Sequence, residues 1–97
     1  MDDASVRQAA EAHAVATVSG DLKTAGSYLD KSAYSAAGEV MKSMPDPLEA
    51  SQVTTVEAAD EGFDVRIEYS GAGSTTTILS TWQAIDGAPK IVGLQVV

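Results

Sequence analysis

The segment FDVRIEY, Phe63–Tyr69, decides the fold class of this chain. Apolar and polar residues alternate along it without interruption, which is typical of a β-strand that buries one face and exposes the other. The second half of the chain is therefore expected to form antiparallel sheet. The residues expected on the buried face are Phe63, Val65, Ile67 and Tyr69.

Three more strands are predicted around this segment. SQVTTVEA (residues 51–58) precedes it, and TTTILSTWQAI (residues 75–85) and IVGLQVV (residues 91–97) follow it. The last two are separated by Asp86-Gly87, a dipeptide that favours a tight hairpin turn. The pattern predicts a four-stranded antiparallel meander over about residues 50–97.

The expected register comes from the loop between the second and third strands. If residues 70–74 form that loop, Val65 pairs with Leu79, and Leu79 faces the helices. The far face would then expose a cluster of apolar residues, which usually marks an interaction surface. We therefore expect a homodimer through the outer sheet face; the alternatives are sheet curvature or ordinary scattered exposure. The expected interface residues are Ile78, Trp82, Ala84, Ile91 and Val97.

The first half of the chain has helical periodicity and no proline before Pro45. It predicts helices over about residues 3–44: an amphipathic first helix, a short second one capped by Asp21 after Gly20, and a third ended by Pro45. Helices followed by a meander indicate the α+β class. We expect one domain, residues 1–97, in which the N-terminal helices pack on a curved four-stranded antiparallel sheet.

The composition limits the possible functions. Fourteen acidic residues against six basic ones give a net charge of −8, which argues against nucleic-acid and anionic-membrane partners. With no cysteine, thiolate catalysis and cysteine-ligated zinc are excluded. No apolar run is long enough for a membrane span, and no signal segment follows Met1. Location is unassigned: cytoplasmic as written, or secreted or lipid-anchored if a leader has been removed.

Two segments carry a family resemblance: GDLKTAGSYLD (Gly20–Asp30) and WQAIDGAPKIVGL (Trp82–Leu94). Together with the amphipathic first helix, they resemble the nuclear-transport-factor-2-like (NTF2-like) superfamily, the cystatin-like α+β cone. The chain looks like a minimal member, with room for only four strands and no second aromatic at residues 88–90. The family includes ketosteroid isomerases, polyketide cyclases, dehydratases and epoxide hydrolases, beside non-catalytic binding and assembly domains. Fold alone therefore does not select a function.

Four residues are candidates for a ligand site. His13, the only histidine, lies on the apolar face of the first helix, and the resemblance implies that this helix crosses the mouth of the sheet. A buried neutral imidazole there could transfer protons; the alternative is a core histidine bonded to a backbone carbonyl. Tyr28, Tyr34 and Tyr69 could donate to a ligand, although buried tyrosines more often serve packing.

No acidic residue occupies a predicted inward strand position, so the general base of the catalytic relatives is missing. One histidine and no clustered ligands predict no metal, and no cofactor fingerprint is present. We expect a non-catalytic dimeric module that binds a small apolar ligand or a protein partner. The alternative is a small isomerase, cyclase or dehydratase that uses His13 with Tyr28 or Tyr69.

Overall fold

A computed structural model describes all 97 residues of the chain. Its first half is helical, as predicted, and the third predicted helix divides into a 3-10 turn and a short α-helix. The helical elements are α1 (Asp3–Ser19), α2 (Leu22–Ser27), the 3-10 turn Lys31–Ala33 and α3 (Tyr34–Met41).

The second half forms one antiparallel sheet with its strands in chain order. Helices packed against four antiparallel strands confirm the predicted α+β class. The strands are β1 (Ala50–Ala59), β2 (Gly62–Gly71), β3 (Ser74–Ile85) and β4 (Ala88–Val96).

Short polar residues and one glycine set the start of α1, its end and the start of α2. The Asp2 carboxylate accepts a hydrogen bond from the Ser5 backbone N–H (2.8 Å) at the start of α1. Gly20 ends this helix with a φ of 81°, a conformation that glycine adopts without steric cost. Asp21 then caps α2 by accepting from the Thr24 backbone N–H (3.2 Å). The predicted stop and restart at Gly20 and Asp21 are therefore confirmed.

The connection between β2 and β3 differs from the prediction. It is a two-residue turn, Ala72-Gly73, with positive φ at both residues (51° and 76°). As a result Val65 pairs with Ser80 rather than with Leu79, and the predicted register is wrong by one residue. Turns of this kind usually select Asn, Asp or Gly at their first position, so an alanine there gave no indication of the turn.

The shift turns β3 over, since a one-residue slip exchanges the two faces of a strand. Ile78, Trp82 and Ile91 are at most 2% exposed, in the core under the helices. Their predicted place on the outer face is wrong, whereas Ala84 and Val97 are exposed. The homodimer stays a prediction, but the apolar outer face that motivated it is not present. The outer face instead carries mainly polar side chains, among them Asp64, Arg66, Glu68, Thr77, Thr81 and Gln83.

One core lies between the helices and the inner face of the sheet. Val6, Ala10 and Ala14 of α1 are buried against β1 and β2. The segment between α2 and the 3-10 turn pairs in parallel with β4, through hydrogen bonds from the Ile91 N–H to the Tyr28 carbonyl (2.7 Å) and from the Asp30 N–H to the Ile91 carbonyl (2.8 Å). No helix has the length and apolar character needed to cross a bilayer.

Candidate ligand cavity

A cavity of about 210 Å³ lies between the three helices and the inner face of the sheet. Leu22 and Met41, at its edge, are 63% and 49% exposed, so the cavity opens to solvent between α2 and α3. Ten of the thirteen lining residues are hydrophobic. The large apolar ones from the helical half of the chain are Leu22, Leu29, Val40, Met41 and Met44.

The local sequence explains why these side chains converge. His13 and Thr17 are one turn apart on α1, so they share a face of this helix. Gly20 ends α1 after that face, and α2 then supplies Ala25, whose carbonyl accepts a hydrogen bond from the histidine. Ile78 and Tyr69 provide the floor from two paired strands.

His13 is the main polar group of the cavity and is 8% exposed. Its Nδ1 donates a hydrogen bond to the Ala25 carbonyl (3.0 Å), which leaves Nε2 as the acceptor of the neutral ring. Burial lowers the pKa of His13 below 6.5, and the bond to Ala25 offsets only part of this effect. The imidazole is therefore neutral at pH 7.

Two aromatic rings hold the imidazole in place. The ring centroids of Tyr28 and Trp82 lie 6.0 Å and 6.2 Å from that of His13, both in edge-to-face geometry. The Trp82 Nε1–H donates to the Ser80 hydroxyl (2.9 Å), which donates in turn to the Val65 carbonyl (2.9 Å). This buried chain of hydrogen bonds fixes the indole and, through it, the position of His13.

The other two polar side chains of the cavity interact with the chain itself. The Thr17 hydroxyl donates to the His13 backbone carbonyl (2.9 Å). Burial raises the pKa of Tyr69 to about 12, and a side-chain hydrogen bond with Thr17 opposes part of this rise. Tyr69 is therefore a neutral phenol throughout the physiological pH range.

The structure brings together only some of the predicted site residues. His13 and Tyr69 line the cavity. Tyr28 contacts the His13 ring but is not part of the lining. Tyr34, at the start of α3, is 57% exposed and lies outside the cavity, so the structure does not bring it together with His13 and Tyr69.

Sequence reasoning assigned no site role to several lining residues, including Leu22, Leu29, Val40 and Met44. Their helical spacing showed that they face inward, but no local pattern showed that a gap remains between them. Thr17 was likewise assigned no role. The lining contains no acidic residue, and no three potential metal-ligating side chains come together. Comparison with known protein families, curated proteins and solved structures finds no match to this chain.

Proposed function

We propose that this protein is a non-catalytic module that binds a small apolar ligand in the cavity between its helices and its sheet. The observation that carries the proposal is a cavity of about 210 Å³ with an almost entirely apolar lining and an open edge. An apolar cavity of about 150 Å³ is sufficient for benzene in another protein. The space here suits a molecule of about ten non-hydrogen atoms.

The expected affinity follows from the area that such a ligand can bury. Moving about 200 Å² of apolar ligand surface out of water contributes about 5 kcal/mol. That free energy corresponds to a Kd of about 0.2 mM. Titrations in the high micromolar to millimolar range are therefore appropriate.

The order of the elements supports the further proposal that the chain is a minimal NTF2-like domain. Helices precede a four-stranded meander, and the cavity lies between these two layers. This arrangement agrees with the pocket that the family resemblance implies. A protein partner on the outer sheet face is less favoured, because that face carries mainly polar side chains.

The binding proposal is tested by titrating benzofuran into the protein with methyl-labelled Met, Leu and Val. We expect saturating chemical-shift changes at Leu29, Met44 and Val40, which line the cavity. Ala37→Phe fills the space and should abolish these changes, since Ala37 belongs to the lining. Ala12→Phe makes the same change on the exposed side of α1 and should leave them intact. Absence of shifts in the wild type, or equal shifts in both variants, would contradict the proposal.

An enzymatic role is the second candidate, because His13 and Tyr69 share the cavity. A neutral imidazole and a phenol could pass a proton to and from a bound carbonyl compound. No carboxylate lines the cavity, and the lowered pKa of His13 makes its imidazole a weak base. Deuterium incorporation into cyclohexenone that is faster with the wild type than with His13→Gln would favour the enzyme. We expect equal rates.

A further inference from the structure

We propose that the ligand carries a hydroxyl or N–H group on an apolar ring, and that this group donates a hydrogen bond to Nε2 of His13. This inference rests on the proposed function and names the chemical class that the same cavity selects. It follows from the hydrogen bonds that His13 and Thr17 make within the chain and from the absence of charged side chains in the lining.

The orientation of His13 is the first step. Its Nδ1 donates to the Ala25 carbonyl at 3.0 Å, and edge-to-face packing against Tyr28 and Trp82 restrains rotation of the ring. A neutral imidazole with its proton on Nδ1 has an unshared acceptor at Nε2. No side chain or backbone group of the protein donates to that atom.

The second step concerns Thr17, which lines the cavity together with His13. The Thr17 hydroxyl proton is directed to the His13 carbonyl, so Thr17 can only accept a further hydrogen bond from a neighbour. A ligand whose only polar atom is an acceptor would leave Nε2 of His13 without a hydrogen-bond donor.

The third step excludes charged ligands. None of the thirteen lining residues is an Asp, Glu, Lys or Arg. Burying a carboxylate or an ammonium ion without a counter-charge is strongly unfavourable. The remaining class is neutral and apolar with one donor: phenols, indoles and comparable ring alcohols.

Indole and benzofuran provide a matched test, because they have nearly the same shape and differ at the N–H. Titration calorimetry or ligand-observed NMR at pH 7.5 should give the wild type about tenfold tighter binding of indole. Binding of indole should also shift the ¹⁵N resonance of His13 Nε2, whereas benzofuran should leave it nearly unchanged. Equal affinities, or tighter binding of benzofuran, would overturn the inference while leaving the proposed function intact.

The variant His13→Leu removes the acceptor and retains an apolar side chain. It should bind indole and benzofuran with equal affinity. A tenfold preference for indole that persists in His13→Leu would overturn the role of Nε2. If neither compound binds the wild type, the proposed function and this inference both fail.

Discussion

Ser80 is the residue on which the position of Trp82 depends. Its hydroxyl accepts from the Trp82 indole N–H and donates to the Val65 carbonyl, and both Ser80 and Trp82 are fully buried. The predicted register, in which Leu79 faces the helices, placed the next residue, Ser80, on the outer face. The adjacent tryptophan, which needs an acceptor when buried, is the feature that could have corrected this placement.

Ser80→Ala should lower the free energy of unfolding by about 1–3 kcal/mol, because it leaves the buried indole N–H without an acceptor. Thr81→Ala on the outer face is the matched control and should cost less than about 0.5 kcal/mol. Urea denaturation followed by tryptophan fluorescence measures both. Equal effects of the two substitutions would contradict the buried position of Ser80.

The lowered pKa of His13 also predicts a pH dependence of stability. Burial holds this pKa below 6.5, so the unfolded chain takes up a proton at a higher pH than the folded one. The contribution of neutral His13 is complete above pH 6.5 and is lost as the pH falls toward the folded-state pKa, by at most about 1.4 kcal/mol per pH unit. The neighbouring titratable groups, Tyr28 and Tyr69, are phenols, and no carboxylate lines the cavity.

The comparison of wild type with His13→Gln isolates this effect from titration of the surface acids. Urea unfolding at pH 7.5 and pH 5.5 should show that the wild type loses more stability than the variant over this interval. An equal loss in both proteins would mean that His13 is accessible to protons in the folded state.

At the scale of elements, the two hairpin turns that flank β3 differ in how well their residue composition predicts their geometry. Asp86-Gly87 adopts positive φ at both residues (53° and 81°), as its composition predicted. Ala72-Gly73 adopts nearly the same geometry without the composition that predicts it. Strand existence was therefore predictable from alternation, whereas the register of β3 depended on a turn that carries an untypical residue.

Ala72→Asn should stabilise the protein by about 1 kcal/mol, because asparagine tolerates the left-handed conformation that alanine resists. Ala84→Asn is the control, on an exposed strand position with ordinary backbone geometry, and it should be neutral or slightly destabilising. Thermal unfolding by circular dichroism compares the two. A lower melting temperature for Ala72→Asn would argue against the two-residue turn and against the register that follows from it.

At the scale of the whole molecule, the register determines both assembly and site. With Ile78, Trp82 and Ile91 under the helices, charged residues and threonines dominate the outer face. The predicted dimer interface rested on the opposite arrangement. The cavity was beyond sequence reasoning for a different reason: periodicity shows which side chains face inward, but the gap left between them is a property of tertiary packing.

We now expect no dimer through the outer sheet face, because this face lacks the apolar area of a stable dimer. Light scattering coupled to size exclusion at about 100 μM should give the mass of one chain, 10.0 kDa. A homodimer has twice that mass, and a dimer that Arg66→Glu dissociates would show that the outer sheet face is an interface after all.

The most direct test of the cavity as a binding site is a crystal structure of the protein grown with saturating indole. We predict the indole ring between α3 and the inner face of β3, beside Val40 and Ile78, with its nitrogen about 3 Å from Nε2 of His13. An unliganded cavity at saturating indole, or indole bound only on the outer sheet face, would contradict the account.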